Sequence, residues 1–189
     1  IEVSAFKQYL SERAEDWEWQ SLLRARVVGD VGWAATLLPE SFSEWGGNAE
    51  RRTSTVENVR VMKKRVQSER ATGDHHFKLG RGGLVTIEFL VQALQLYHYS
   101  EQRSYAGLSC LRAIAALRRD RHLSEEQASM LNANYLWLRR VIQYLRFLEP
   151  NESSTLPKDR HTRNALARAM GYSTTTKLVE TYRKIQKEN

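Results

Sequence analysis

Residues 78–83, Lys-Leu-Gly-Arg-Gly-Gly, combine two cations with three glycines, a composition that some proteins use to hold phosphate groups. A Walker loop needs four residues between its glycines and then Lys followed by Ser or Thr, an order that this segment lacks. A dinucleotide-binding fingerprint needs a third glycine where Val85 stands. Glycines at a helix start still expose backbone N–H groups that can meet an anion. The alternative is a structural turn, made by Gly80, Gly82 and Gly83, that brings the next helix close to its neighbours.

A strongly apolar helix is predicted to follow, over residues 84–99. It carries one polar stripe with the spacing i, i+4 and i+7: Glu88, Gln92 and Gln95. A buried carboxylate is costly unless it is paired. The candidate partners of Glu88 are the arginines Arg24 and Arg26, which end an earlier helical segment. An internal structural ion pair and a substrate-facing one both remain open.

The cysteine and histidine residues do not form a recognisable catalytic or metal-binding pattern. Cys110 is the single cysteine, so no intramolecular disulfide can form, and its helical surroundings predict an inert packed thiol. Asp74, His75 and His76 are adjacent without a second cluster of ligands, which favours a surface loop. The Gly-Ser pair followed by Asp-x-Asp, with which nucleotidyltransferases hold metal ions, is absent. We therefore expect no catalytic residues and no metal site in this chain.

Composition and periodicity predict an all-α fold. The 189 residues are 41% hydrophobic and include only three prolines, and no alternating strand pattern occurs. We expect an antiparallel bundle of about six to eight helices in a single domain, 1–189. Within it, 1–52 would hold N-terminal helices and a loop, and 53–189 the main bundle. The most loop-like stretch of the first half is 39–53, which contains Pro39, Gly46 and Gly47. The missing initial Met suggests a fragment of a longer chain. The predicted helices lie within 3–28 with a break near 11–15, and at 33–38, 55–70, 84–99, 105–119, 125–149, 163–170 and 175–187.

The charge pattern favours a solvated, mildly basic surface. The net charge is +7, but the arginines are spread over several predicted helices and many are flanked by Glu or Asp. A nucleic-acid-binding bundle is therefore the least favoured function. No apolar run approaches the about 18 residues that a membrane span needs. No signal peptide pattern begins the chain, so we expect a cytoplasmic protein.

Residues 77–92, Phe-Lys-Leu-Gly-Arg-Gly-Gly-Leu-Val-Thr-Ile-Glu-Phe-Leu-Val-Gln, resemble the most distinctive stretch of the glutamine-synthetase adenylyltransferases. In that family a Lys-x-Gly-x-Gly-Gly turn leads into Asp-Ile-Glu-Phe and an apolar helix. Here Thr86 stands where the Asp is usual. Residues 17–28 resemble an upstream Trp-Glu-x-Gln-Ala-Leu segment, and 135–140 and 167–172 resemble later helices. Uridylyltransferases of the PII signalling protein share a related helical domain.

The resemblance implies a helical domain that follows a nucleotidyltransferase domain carrying the metal-binding carboxylates. One such module attaches AMP to a tyrosine of glutamine synthetase, and a second removes it by phosphorolysis. ATP and magnesium are implied for the full enzyme, with none bound by this chain alone. The implied partners are the adjacent catalytic domain, glutamine synthetase and the PII protein. The residues implied on the substrate or nucleotide side are Arg24, Arg26, Lys78, Arg81 and Glu88.

The resemblance also places residues 17–28 beside the apolar helix, so we expect Glu88 within salt-bridge reach of Arg24 or Arg26. The alternative function is a non-catalytic regulatory or protein-interaction bundle without a nucleotidyltransferase partner.

Overall fold

The computed structural model describes residues 2–25, 32–71, 75–99, 105–149 and 154–189. These ranges contain nine α-helices and no strand, which confirms the all-α prediction. The helices are α1 (Val3–Glu12), α2 (Asp16–Leu22), α3 (Gly32–Gly46), α4 (Ala49–Arg70), α5 (Leu84–Tyr97), α6 (Cys110–Arg119), α7 (Glu125–Leu148), α8 (Arg160–Ala169) and α9 (Thr175–Glu188). Among these described helices, none combines the length and the apolar character that a membrane span requires.

Local capping explains several helix boundaries. The Glu15 side chain and the N3 residue Glu18 form a reciprocal capping box at the start of α2. Asp159 accepts a hydrogen bond from the Thr162 N–H at the start of α8. Gly171 follows α8 with a φ of 82°, the left-handed conformation that glycine commonly adopts after the end of a helix.

The predicted loop at residues 39–53 is wrong. Helix α3 continues through Pro39 to Gly46, and α4 begins at Ala49. An interior proline costs a helix about 3 kcal/mol because it lacks an N–H and clashes with the preceding turn. Phe42 and Trp45, which are 0% and 3% exposed, lie on the continued helix. Burying each aromatic side chain contributes about 2–3 kcal/mol, which offsets the cost of Pro39.

The chain divides into two compact units, each formed by segments that are distant in the sequence. The first unit comprises residues 1–62 and 89–124, and in it α1 packs against α3. Its core is built around four aromatic rings in mutual contact: Trp19, Phe42, Trp45 and Tyr99. Cys110 is buried in this unit, which confirms the predicted packed cysteine.

The second unit comprises residues 63–88 and 125–189, and in it α8 contacts both α7 and α9. Phe77, Trp137 and Tyr182 form its aromatic cluster. Residues 1–52 belong to the first unit together with 89–124. The prediction of a single domain stays a prediction.

Candidate functional site

The glycine-rich segment forms a turn that leads directly into α5. Gly83 N–H donates to the Gly80 carbonyl at 2.9 Å, and the N–H groups of Leu84 and Val85 donate to the carbonyls of Phe77 and Lys78 at 2.9 and 3.0 Å. The first N–H groups of α5 are therefore hydrogen-bonded within the turn. Donors that already have such acceptors are not open to a phosphate, so this geometry favours the structural turn over an anion-binding loop.

Gly82 lies where the turn meets the backbone of α9. Its φ is 66°, a left-handed conformation that L side chains rarely adopt. A Cβ atom at Gly82 would lie 2.5 Å from the Gln186 Cα and 2.9 Å from its carbonyl oxygen. Gln186 Nε2 donates to the Arg81 carbonyl at 3.0 Å, and Asn189 Nδ2 donates to the Gly82 carbonyl at 2.9 Å. The C-terminal helix thus holds the turn in place.

Polar contacts with α4 hold the other side of the turn. Gln67 Nε2 donates to the Gly80 carbonyl at 3.3 Å and to Thr86 Oγ1 at 3.2 Å. Thr86, which stands where the resembled family has Asp, is 3% exposed. Its side chain is therefore part of the internal polar contacts of the fold. Sequence reasoning did not single out Gln67, because nothing in the local pattern of α4 distinguishes it from the other polar residues of that helix.

The prediction of a surface loop around His76 is wrong. His76 is 6% exposed, and its Nδ1 accepts a hydrogen bond from the Leu79 N–H at 3.1 Å. It forms an isolated antiparallel bridge with Thr155, and the Tyr182 hydroxyl donates to its carbonyl at 3.0 Å. These last two partners are distant in the sequence, so local composition could not reveal the burial. Asp74 lies outside the described residues. Among the residues that are described, no group of three or more His, Cys, Asp or Glu side chains could hold a metal ion.

We expect acid to destabilise the chain through His76. Burial lowers the pKa of His76, and the nearby Lys78 lowers that pKa further. The unfolded chain therefore binds this proton more readily, and stability is lost as the pH falls below about 6.5. Replacing His76→Asn keeps an acceptor for the Leu79 N–H and removes the titration. Urea unfolding at about pH 7.5 and about pH 5.5 should show a smaller loss for His76→Asn than for the unsubstituted chain.

The exposed His161→Asn variant is the matched control for this measurement, since it also removes one imidazole. The same loss of unfolding free energy in His76→Asn and in the unsubstituted chain would exclude His76 as the source of the acid sensitivity.

The polar stripe of α5 is partly explained by internal hydrogen bonds. Gln92 Oε1 accepts from Gln20 Nε2 at 2.7 Å, and Gln95 Nε2 donates to the Tyr105 carbonyl at 2.7 Å. Both glutamines of the stripe are buried. The contact of Gln20 with Gln92 also brings α2, which belongs to the segment 17–28, to α5, as the resemblance implies. These two glutamines of the stripe are structural residues.

Three of the five predicted substrate-side residues lie in the second unit. Lys78 and Arg81 are exposed on the turn, and half-buried Glu88 follows on α5, where its Oε1 lies 3.5 Å from the Tyr135 hydroxyl. Arg24 is exposed and belongs to the other unit, and Arg26 lies outside the described residues. The ion pair of Glu88 with either arginine therefore stays a prediction.

The model of one protein family, described as GlnD PII-uridylyltransferase, matches residues 53–188. The match covers more than half of the chain and includes the turn and helices α5 to α9. The match supports a helical domain related to nucleotidyltransferases. It does not distinguish the adenylyltransferases from other members of that group. The chain belongs to the GlnD PII-uridylyltransferase family.

Proposed function

We propose that this chain is the helical domain of a glutamine-synthetase adenylyltransferase or deadenylylase. It would support the transfer of AMP to a glutamine synthetase tyrosine, or the phosphorolytic removal of that AMP. The observation that carries the proposal is the segment 77–92. This segment has the sequence features of that enzyme family, and its turn presents Lys78 and Arg81 to solvent. Membership in a nucleotidyltransferase-related family supports the same class of function.

The proposed role of the chain is to position groups for a neighbouring catalytic domain. Its sequence contains no Asp-x-Asp pair, so the carboxylates that bind magnesium for nucleotidyl transfer would belong to that domain. Bound there, magnesium and ATP would supply the activated phosphorus centre. Lys78 and Arg81 would add positive charge beside the phosphates or an acidic protein surface. The backbone hydrogen bonds of the turn fix the backbone positions of these two residues.

A second candidate function is the uridylylation of the PII protein, which the description of the matching family favours. The two functions differ in both the nucleotide and the protein acceptor. AMP transfer uses ATP and glutamine synthetase, whereas UMP transfer uses UTP and PII. Offering both pairs of substrates to the same preparation therefore separates them.

The 189-residue chain alone is expected to transfer no AMP to glutamine synthetase from ATP and magnesium, because it lacks the carboxylate pair. Joined to the nucleotidyltransferase domain of its own protein, it should support AMP transfer or phosphate-dependent AMP removal. Radiolabelled AMP on glutamine synthetase measures both reactions. Transfer by the isolated chain would contradict the assignment of catalysis to another domain. Transfer of UMP to PII, without any reaction of AMP, would establish the second candidate instead.

The double variant Lys78→Ala with Arg81→Ala tests the role of the turn in the joined protein. We expect about a tenfold loss of the rate, since contacts of two solvent-exposed charges contribute about 0.2–1 kcal/mol each. Lys158→Ala with Arg160→Ala is the matched control, because it removes the same charges from exposed positions outside the turn. An equal loss in the two double variants would indicate a general effect of charge and would contradict a specific role of the turn.

A further inference from the structure

The glycine-rich turn and helix α9 meet at one close backbone contact. A Cβ atom at Gly82 would lie 2.5 Å from the Gln186 Cα, so a glycine is needed for the two segments to approach this closely. Gln186 Nε2 donates to the Arg81 carbonyl at 3.0 Å, and the Tyr182 hydroxyl, one helical turn earlier, donates to the His76 carbonyl at 3.0 Å. The surface residues of the turn and those of this side of α9 therefore lie next to each other.

Both segments carry exposed cations at this contact. Lys78 and Arg81 are exposed on the turn, and Arg183 and Lys187 are exposed on α9. With 3.6 residues per turn of an α-helix, Arg183 lies about 60° and Lys187 about 100° around the helix from Gln186. Both are also within one helical turn of Gln186 along the axis of α9. Four positive charges are therefore grouped around the contact of the turn with α9.

These four cations have no ion pair within the part of the chain that the structure describes. On the other side of α9, Lys184 Nζ lies 3.6 Å from Glu188 Oε1, so the charge of that lysine is balanced locally. Glu180 is also exposed on α9, but one carboxylate cannot balance four cations. The turn and α9 thus present an excess of positive charge, which attracts anionic partners and raises their association rate.

Nucleic acids are disfavoured as the partner of this surface. The N–H groups of Gly83, Leu84 and Val85 donate to carbonyls within the turn, so they are not available to a phosphate. The rings of Phe77 and Tyr182 beneath the turn are 0% exposed and cannot stack on bases. Carboxylates need neither feature, because exposed Arg and Lys side chains pair with them directly. The surface therefore suits the acidic side chains of a protein.

We propose that the turn and α9 together form a docking surface for an acidic face of a partner protein. Carboxylates of the partner pair with Lys78 and Arg81 on the turn and with Arg183 and Lys187 on α9. Under the proposed function, on which this inference rests, the partner is the protein that accepts the nucleotide. The hydrogen bonds from α9 to the Arg81 and Gly82 carbonyls keep the two pairs of cations in one surface.

A short, fluorescently labelled poly-L-glutamate peptide is a suitable probe of the docking surface. Its anisotropy on titration with the 189-residue chain should show saturable binding that weakens as salt is added. The double variant Arg183→Gln with Lys187→Gln should bind the peptide about fivefold more weakly, the effect expected for the loss of two exposed charges. This variant removes only exposed side chains, and circular dichroism checks that it folds.

Lys177→Gln with Lys184→Gln is the matched control, because it removes the same two charges from exposed positions on the same helix. Both lysines lie about 160–180° around α9 from Gln186, away from the contact with the turn. The control should bind the peptide with less than about a twofold loss of affinity. Absence of peptide binding, or an equal loss in the two double variants, would overturn the proposal.

Polyuridylate, titrated in parallel, tests the nucleic-acid alternative. Arg183→Gln with Lys187→Gln should reduce its affinity less than that of poly-L-glutamate. A loss for polyuridylate as large as that for the peptide would indicate a surface for nucleic acid and would contradict the docking of an acidic protein.

The protein joined to its nucleotidyltransferase domain separates the docking surface from the proposed function. There, Arg183→Gln with Lys187→Gln should raise the KM for the protein acceptor more than the KM for the nucleotide. An equal change in both KM values would overturn the docking surface while leaving the proposed function in place. The peptide titration needs no nucleotidyl transfer. An inactive joined protein whose peptide binding still depends on Arg183 and Lys187 would therefore contradict only the proposed function.

Discussion

Replacing Gly82→Ala is expected to lower the free energy of unfolding by about 2–5 kcal/mol. Two costs combine at this position. The φ of 66° is unfavourable for a residue with a Cβ atom, by about 1–2 kcal/mol. The new Cβ would also lie 2.5 Å from the Gln186 Cα, and backbone of a packed helix cannot rotate away as a flexible side chain can. Overpacking of this kind typically costs about 1–3 kcal/mol.

Gly171→Ala separates these two costs. Gly171 also has a positive φ, of 82°, but no atom would lie within 4 Å of an added Cβ. Its replacement should therefore cost only the conformational part, about 1–2 kcal/mol. Urea unfolding of the two variants measures the difference. An equal loss in both would show that the close approach of the turn to α9 contributes nothing to stability.

Replacing Tyr182→Ala is expected to lower the free energy of unfolding by about 3–5 kcal/mol, the typical loss for a large buried aromatic side chain. Tyr182 is 0% exposed, and its ring centroid lies 4.6 Å from that of Phe77. Its ring also stacks on Trp137 with an interplanar angle of 9°. Removal of the ring would leave a cavity beneath the turn and take away the packing partner of both neighbours.

Tyr182→Phe tests the hydroxyl by itself. The hydroxyl donates to the His76 carbonyl at 3.0 Å, and a hydrogen bond of this kind contributes about 1 kcal/mol. The Gly80 N–H donates to the same carbonyl at 2.8 Å, so that carbonyl keeps one partner in the variant. We therefore expect a loss of about 1 kcal/mol, measured by urea unfolding beside Tyr182→Ala. A loss in Tyr182→Phe as large as that in Tyr182→Ala would contradict the assignment of most of the stability to ring packing.

Burial raises the pKa of Tyr182 to about 12. The unfolded chain ionises near pH 10, so the contribution of the neutral hydroxyl is complete below pH 10 and is lost as the pH rises toward 12. Between pH 10 and pH 12, the free energy of unfolding should therefore fall less in Tyr182→Phe than in the unsubstituted chain.

Local sequence patterns predicted most of the helices because the spacing of apolar residues within one helix is a near-neighbour property. The predicted start of α5 at Leu84 and the turn of Gly80, Gly82 and Gly83 agree with the structure, since glycines before an apolar helix mark its entry. The break between α1 and α2 also lies where the periodicity is interrupted. The 77–92 segment indicated the glutamine-synthetase adenylyltransferases, and the match to the GlnD family supports only the broader relation to nucleotidyltransferases.

Interactions between residues that are distant in the sequence decided two features that the sequence did not predict, the continuity of α3 and the burial of His76. The chemistry of Pro39 predicted the end of a helix at this point. The burial of Phe42 and Trp45 favours the continuation of α3 instead. His76 is buried because it pairs with Thr155 and contacts Tyr182, neither of which a local window contains.

At the glycine-rich turn, the sequence alone predicted some features and the tertiary structure decided others. The sequence by itself placed Lys78 and Arg81 on a glycine-rich turn, and their exposure there agrees with that placement. The tertiary structure decided that the N–H groups at the start of α5 are hydrogen-bonded to the turn. These groups are therefore not available as hydrogen-bond donors to a phosphate. It also brought Trp19, Trp45 and Arg51 together from three different helices, with the two indole rings stacked and Arg51 beside Trp19. Their grouping depends on how the helices pack, because no spacing within a single helix relates these residues.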